Sequence, residues 1–247
     1  CGDSCCPAFP LRSLSRRIKS YKNIQIIKYL FAIDLIVESE SCFGVIAKDL
    51  NTNKIKNILA KKTLIATGGL GQIFQFTTNP IVSTADGIAM AKRVNVKIID
   101  LEFIQFHPTV LYNPNQTSSF LISEAVRGKG AILRTVNGNR FMQNYHKDKE
   151  LATRDVVARA IDTEIKKTNV DYVFLDCSTI PEKEIEKHFP NIKKKCEELG
   201  LDLSTDSIPV MPAAHFVCGG INTDIYGRTN INNLYACGEC ANTGLNG

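Results

Sequence analysis

The sequence lacks any run of about 18 consecutive apolar residues, so no transmembrane helix is expected. Its start, Cys1-Gly-Asp-Ser-Cys-Cys-Pro7, lacks the basic stretch leading into an apolar one that marks a signal peptide. It has no internal repeat, no zinc-type ligand spacing and no interleaving of basic with aromatic residues, which argues against nucleic-acid binding. The nine cysteines are an odd number without framework spacing, so reduced thiols and a cytoplasmic setting are expected rather than a disulfide scaffold. Cys237-Gly-Glu-Cys240 is a lone C-x-x-C with no second pair, which reads as ordinary structure and leaves no metal site. A strong excess of one charge is also lacking: 30 basic against 25 acidic residues leave a net charge of +5, and Lys61-Lys62 and Lys193–Lys195 read as solvated faces.

What is present is enough for a core, since 44% of the 247 residues are hydrophobic, and the length suits one or two domains. Residues 24–27, 29–38, 42–50 and 54–59 are rich in Ile, Val, Phe and Leu and are expected to be strands, with Asn51-Thr-Asn-Lys54 as a turn. Residues 62–66 form a short buried-type strand feeding Thr67-Gly-Gly69. A helix is expected over 86–94, with Ile88, Ala91 and Val94 on one side, and a strand over 96–104. Val157, Ile161 and Ile165 at i, i+4 and i+8 predict a helix over 151–165. Residues 172–175 read as a strand, 182–199 as a helix interrupted at Pro190, and 234–237 as another buried strand. The mixture predicts an α/β or α+β fold. Composition and periodicity alone do not show a cofactor site.

Two strand ends and one polar group carry candidate chemistry. Ile65-Ala-Thr-Gly-Gly69 and Ala236-Cys-Gly-Glu239 both place glycines just past an apolar strand. There, backbone can close on a ligand and a carboxylate can accept ribose hydroxyls. An ordinary glycine-containing loop explains either segment equally well. Gln105-Phe-His107-Pro, Ser123-Glu124, Arg154-Asp155 and Pro212-Ala-Ala-His215 set polar groups among apolar ones. Three of the four carry His or Arg, which bind anions or move protons. For a lone histidine the ordinary reading is a satisfied core or surface residue, and His146 and His188 fall there.

The order of the motifs supplies a resemblance. Ala66-Thr-Gly-Gly69, Phe76-Thr-Thr-Asn-Pro80, Asp86-Gly-Ile-Ala-Met-Ala91 and Glu102-Phe-Ile-Gln-Phe-His-Pro-Thr109 come first. Ser123-Glu-Ala-Val-Arg-Gly128, Gly138-Asn-Arg-Phe-Met142 and Arg154-Asp-Val-Val-Ala-Arg-Ala160 follow. Pro212-Ala-Ala-His215, Cys218-Gly-Gly220, Tyr235-Ala-Cys-Gly-Glu239 and Thr243-Gly-Leu-Asn-Gly247 complete the series. From about residue 22 onward the chain resembles the succinate dehydrogenase and fumarate reductase flavoprotein family, on the order and spacing of motifs rather than on any one of them. Thr77-Thr-Asn-Pro80, Phe174-Leu-Asp176 and the short link from Gly220 to Leu234 resemble the branch that oxidises L-aspartate. A succinate or fumarate enzyme is the alternative, and a catalytically inactive remnant a third reading.

The resemblance implies FAD as cofactor, with Ala66, Thr67, Gly68 and Gly69 along it, Asp86 in contact with it and Glu239 on its ribose. It implies that Gln105, His107, Ser123, Glu124 and His215 hold a dicarboxylate, L-aspartate, and that Arg154 shuttles a proton. An arginine base needs neighbouring positive charge and desolvation, because its free pKa exceeds about 12. The implied reaction yields iminoaspartate for NAD biosynthesis, with oxygen or fumarate as acceptor, no nucleic acid or membrane involved, and quinolinate synthase as a candidate partner.

The resemblance also implies the organisation: a partial Rossmann-like FAD-binding domain over 22–103 and 219–247, with an inserted α+β capping domain over 104–218. Residues 1–21 carry no assignment. The family's G-x-G-x-x-G phosphate loop, the Ala-Asn-Arg that follows Thr243-Gly-Leu-x-Gly247 and the C-terminal helical domain do not occur in the sequence, and Asn246 stands where the family usually has histidine. The chain is therefore expected to be an internal piece that by itself binds FAD weakly or not at all and is inactive.

Overall fold

The alternating apolar residues after position 29 form an antiparallel meander in the computed structural model, which describes residues 8–113 and 119–245, with backbone alone for residues 8–12. Asn246 lies outside the described residues. Strand β1 (Leu30–Glu38) pairs with β2 (Ser41–Asp49), and β2 with β3 (Ile55–Leu59). Leu35, Cys42 and Ala47 point inward, whereas Phe31, Ile33 and Phe43 are exposed. The turn before β3 is built as expected. The Asp49 carboxylate accepts from the amides of Asn51 and Thr52, and Asn53 takes the left-handed conformation at φ 57.

The strand expected over 24–27 does not form. Residues 24–28 have no regular structure, and Ile24, Ile26 and Ile27 are all exposed. An apolar run without a pairing partner leaves its amides to water, and β propensity alone does not hold it extended. The strand expected over 96–104 is also broken. Asp100 adopts φ 58 and the Phe103 amide turns back to the Asp100 carbonyl, leaving β5 (Ile98–Ile99) and a fresh start at β6 (Ile104–Leu111).

The chain divides into two compact units, residues up to 25 with 106–213 and residues 26–105 with 214 onward. The second unit contains the meander and two smaller sheets. In one, β10 (Gly220–Asn222) lies between β12 (Ala241–Asn242), parallel, and β5, antiparallel. In the other, β4 (Thr63–Ile65) pairs in parallel with β11 (Leu234–Ala236), with Ile65 opposite Ala236. Helix α2 (Asp86–Arg93) buries Ile88, Met90 and Ala91 in this unit's core with Ile65, Leu234 and Ala236.

The first unit begins with α1 (Ala8–Ile18) and centres on a four-stranded sheet ordered β6, β9 (Ser207–Val217), β8 (Val173–Asp176) and β7 (Ile132–Arg134). Short α3 (Glu124–Gly128), long α4 (Arg154–Thr168), α5 (Glu182–His188) and α6 (Pro190–Glu197) accompany it. Val157 and Ile161 of α4 are fully buried, each stabilising the unit by roughly 1.5–3 kcal/mol. The helix ends where Asn169 turns left-handed at φ 52. Pro190 separates α5 from α6 as the sequence indicates, serving as the first residue of the new helix. The class is α/β, and strands β6 and β9 run through the points where the chain passes from one unit to the other.

Candidate functional site

In the second unit, the parallel register of β4 and β11 sets two glycine loops side by side. Both strands end at the same level, so Ala66–Gly69 and Cys237–Glu239 leave the same edge of the sheet. That edge, the carboxyl end of parallel strands, is where open α/β sheets take ligands. The loops touch: a side-chain carbon on Gly69 would stand 2.4 Å from Glu239 Oε1. One on Gly87, the second residue of α2, would stand 2.1 Å from the Thr67 hydroxyl. Only glycine permits either approach. Gly68 and Gly238 adopt φ 76 and 72, with open space where side chains would stand.

Glu239 is half-buried and its Oε1 accepts from the Val217 amide at 3.1 Å. Burial pushes its carboxyl above the ordinary range, and the Val217 bond opposes that rise. Asp86 opens α2, where the helix dipole favours a carboxylate, and accepts from the Thr84 hydroxyl at 2.6 Å. The Ala85 amide reaches the Gly69 carbonyl at 3.3 Å. Ala66, Thr67, Gly68, Gly69, Asp86 and Glu239 thus gather within one unit. A glycine wall beside a half-buried carboxylate suits a ligand with hydroxyls on a flat face, and FAD fits that description.

The same unit holds His215 and Gln105. His215 is half-buried on β9. Its Nδ1 lies 2.7 Å from the Thr78 hydroxyl, and its main-chain carbonyl accepts from Asn79 Nδ2 at 2.9 Å. The Thr78 amide donates to the Ala214 carbonyl and the Ala214 amide to the Phe76 carbonyl, both at 3.0 Å, in a short parallel bridge. Gln105 is half-buried on β6.

In the first unit, Arg154 is the first residue of α4, and its Nε donates to Glu124 Oε2 at 2.7 Å. The pair is partly solvated, with side chains 35% and 47% exposed, so it orients the guanidinium more than it stabilises the fold. Ser123 precedes α3 and caps it, its hydroxyl accepting from the Ala125 amide. His107 is buried, and its Nδ1 accepts from the Thr109 amide at 3.3 Å.

Two residues were not singled out from the sequence. Arg127 sits three positions after Glu124 and is 2% exposed, with Nη1 donating to the Glu150 carbonyl at 2.6 Å. Burial lowers the pKa of its guanidinium; the Glu124 charge opposes that, the Arg154 charge adds to it, and the Glu150 charge opposes it. Its spacing from Glu124 is a usable signal, because i and i+3 share a helix face. Thr78 is the other: it lies inside the Thr77-Thr-Asn-Pro80 motif, but its contact with His215, 137 positions away, has no local signal.

A family model described as FAD binding domain matches residues 11–247. L-aspartate oxidase 1 of Ralstonia nicotianae is 47% identical over 241 residues, 95% of this chain and 45% of that protein. The chloroplastic L-aspartate oxidase of Arabidopsis thaliana is 44% identical over 96% of this chain and 38% of its own length. Among solved structures, E. coli quinol fumarate reductase superposes with a TM-score of 0.88 at 33% identity, over 95% of this chain and 43% of that one. The chain spans less than half the length of the curated relatives named here.

Proposed function

The chain belongs to the FAD-binding-domain family, and on that premise we propose that the protein oxidises L-aspartate to iminoaspartate. The observation that carries this reading is the 47% identity to an L-aspartate oxidase across 95% of the chain. The site geometry supports it. FAD is the family's cofactor, and we assign the backbone of Ala66–Gly69, Asp86 and the Glu239 carboxylate to holding it. The bound flavin supplies an acceptor for the hydride that leaves the substrate's Cα.

The chain's own residues bind and orient the substrate and move a proton. L-Aspartate has two carboxylates, and we assign Gln105, His107, Ser123, Glu124 and His215 to gripping it. Such a grip aligns one C–H bond for transfer. Arg154, oriented by Glu124, is assigned to moving the proton that the amino group loses as the imine forms. The buried positive charge of Arg127 belongs to the same charged group. Oxygen or fumarate serves as final acceptor, the latter in keeping with the likeness to fumarate reductase. Iminoaspartate hydrolyses readily, which favours prompt hand-over to a consuming enzyme such as quinolinate synthase.

Supplying L-aspartate or succinate in turn to the FAD-loaded protein tests the reading. The expected result is ammonia release and consumption of fumarate or oxygen with L-aspartate alone. Turnover of succinate without L-aspartate turnover would transfer the assignment to the dehydrogenase branch.

A further inference from the structure

The buried carboxylate of Glu150 serves the more exposed of two arginines. Arg127 is 2% exposed, and a buried guanidinium is the group that most needs a counter-ion. It receives a main-chain oxygen instead. Nη1 donates to the Glu150 carbonyl at 2.6 Å, while Nε and Nη2 are buried and have no hydrogen-bond partner among the described residues. Those two nitrogens form an edge that can take a carboxylate by two parallel bonds. The carboxylate of the same Glu150 goes elsewhere. Its Oε1 and Oε2 accept from Arg140 Nε and Nη2 at 3.0 and 2.6 Å, and Oε1 also takes the Leu133 amide at 3.3 Å. The Arg140 side chain is 35% exposed and has water within reach.

We propose that Arg140 is a positioning residue: by holding both oxygens of Glu150 it keeps that carboxylate off Arg127, so that the Arg127 charge stays uncompensated beside the Glu124–Arg154 pair. The inference rests on the proton-transfer role assigned above to Arg154. The Glu150 carbonyl already touches the Arg127 guanidinium, so a change of Glu150 rotamer is enough to carry its carboxylate toward that group. The Leu133 amide and the two-pronged Arg140 pair hold it back, and the pair is the stronger, since both of its bonds join opposite charges. Stability does not account for the arrangement, because a buried charge without a counter-ion is costly. The gain is at Arg154. Arg127 and Glu124 lie three residues apart on α3, Arg154 Nε donates to Glu124 at 2.7 Å, and the charges of Arg127 and Arg154 act on each other. A positive charge nearby favours loss of a proton from a cation, and it counters the Glu124 carboxylate, which opposes that loss. Neutralising Arg127 would leave Glu124 to act on Arg154 unopposed.

Arg140→Leu tests this, and the bridge between residues 134 and 140 keeps the backbone in place when the side chain is lost. In a crystal structure of the variant, Glu150 is expected to have turned, with a carboxylate oxygen within hydrogen-bond distance of Arg127 Nε or Nη2. In the FAD-loaded protein, L-aspartate turnover at neutral pH is expected to fall ~10-fold, and the rising limb of turnover against pH to move up by about one pH unit, the effect of one nearby charge. Arg140→Lys keeps an ion pair with Glu150 and is expected to stay near wild type. The double variant Arg140→Leu/Glu150→Gln decides between positioning and damage. Glutamine keeps an oxygen for the Leu133 amide but brings no negative charge to Arg127, so turnover and pH profile are expected to return toward wild type. A second substitution in a merely damaged interior would not restore them. Should Arg140→Leu fail to fold, Arg140→Ala is read the same way. A Glu150 that stays in place, or a double variant as slow as Arg140→Leu, overturns the positioning role. Unchanged L-aspartate turnover in Arg154→Leu overturns instead the proton role on which the inference rests, whatever Glu150 does.

Discussion

The two compact units solve different problems with similar amounts of chain. The first unit closes its interior. A continuous apolar core runs from Leu111 through Met142 and Ile161 to Val210, and the charged side chains of Arg127 and Glu150 are buried in the same unit. Glu150, 4% exposed, takes Arg140 in a two-pronged ion pair at 3.0 and 2.6 Å and the Leu133 amide at 3.3 Å. The second unit stays open. Phe31, Phe43, Leu59, Leu64 and Ile73 are exposed, and a groove of ≈ 460 Å³ lies between Cys42, Phe43, Leu59 and Lys61. Its close contacts are instead spent at glycines 69 and 87, where backbone meets Glu239 and Thr67. The contrast teaches a division of labour: the first unit immobilises charged side chains, and the second presents backbone.

The sharpest way to break that comparison is Arg154→Leu. It removes a charged group of the first unit and touches no glycine loop of the second. L-Aspartate turnover is expected to fall by at least ~10³-fold, the upper part of the range for proton-transfer groups, while flavin titration stays unchanged. Parallel loss of flavin affinity would refute the division.

Next in size is Glu150→Ala. It strands the Arg140 guanidinium and the Leu133 amide, while the Glu150 main-chain carbonyl that takes Arg127 is kept, at an expected cost of ~3 kcal/mol. A denaturant midpoint that does not move would show that this interior does not depend on its charged partners.

Gly69→Ala probes the other unit. The new methyl must displace Glu239 Oε1, which gives up its Val217 bond. We expect a loss of ~1 kcal/mol in stability, together with weaker FAD binding in a fluorescence titration. Retained flavin affinity would mean that the contact between the two loops is incidental.

The smallest effect is expected from Glu239→Gln, and its sign is informative. Burial raises the Glu239 pKa in the folded state, so the fold binds that proton more tightly than the unfolded chain does. The group therefore favours folding at low pH, and that contribution is lost as pH rises through the raised value. At neutral pH the ionised form is a burden, and Glu239→Gln should unfold at a slightly higher temperature than wild type. The gap should close as pH falls into the carboxylate range, and flavin affinity should drop. A variant less stable than wild type at neutral pH would overturn this account.

Much of this fold could be read along the chain. The meander of β1 to β3, its Asp49-supported turn, helix α2, the buried stripe of α4 and the break at Pro190 all follow from periodicity and local turn chemistry. Strand β9 could not be read so. It is the longest strand, yet Pro209 and Pro212 lie inside it and remove two donors from its ladder. It persists because the remaining pairs, Val173 with Val210 and Leu175 with Ile208, lie fully buried. Conversely, Ile24–Ile27 has strand composition and no partner to make it a strand.

The candidate site divides along the same line. The sequence by itself determined which residue types are available and in what order: the glycines after β4, the acidic Glu239, the histidines, Arg154. It also placed Glu124 and Arg127 one helical turn apart. Only the tertiary structure decided that Gly69 lies against Glu239, that Thr78 meets the His215 ring, and that Arg127 lies wholly buried. The reason is physical. Period and turn propensity act over a few residues, whereas these meetings depend on register between distant strands, Ile65 opposite Ala236 and Thr77 opposite Ala214. Register is set by the packing of whole faces, and a shift of one residue would turn each of these side chains to the other side.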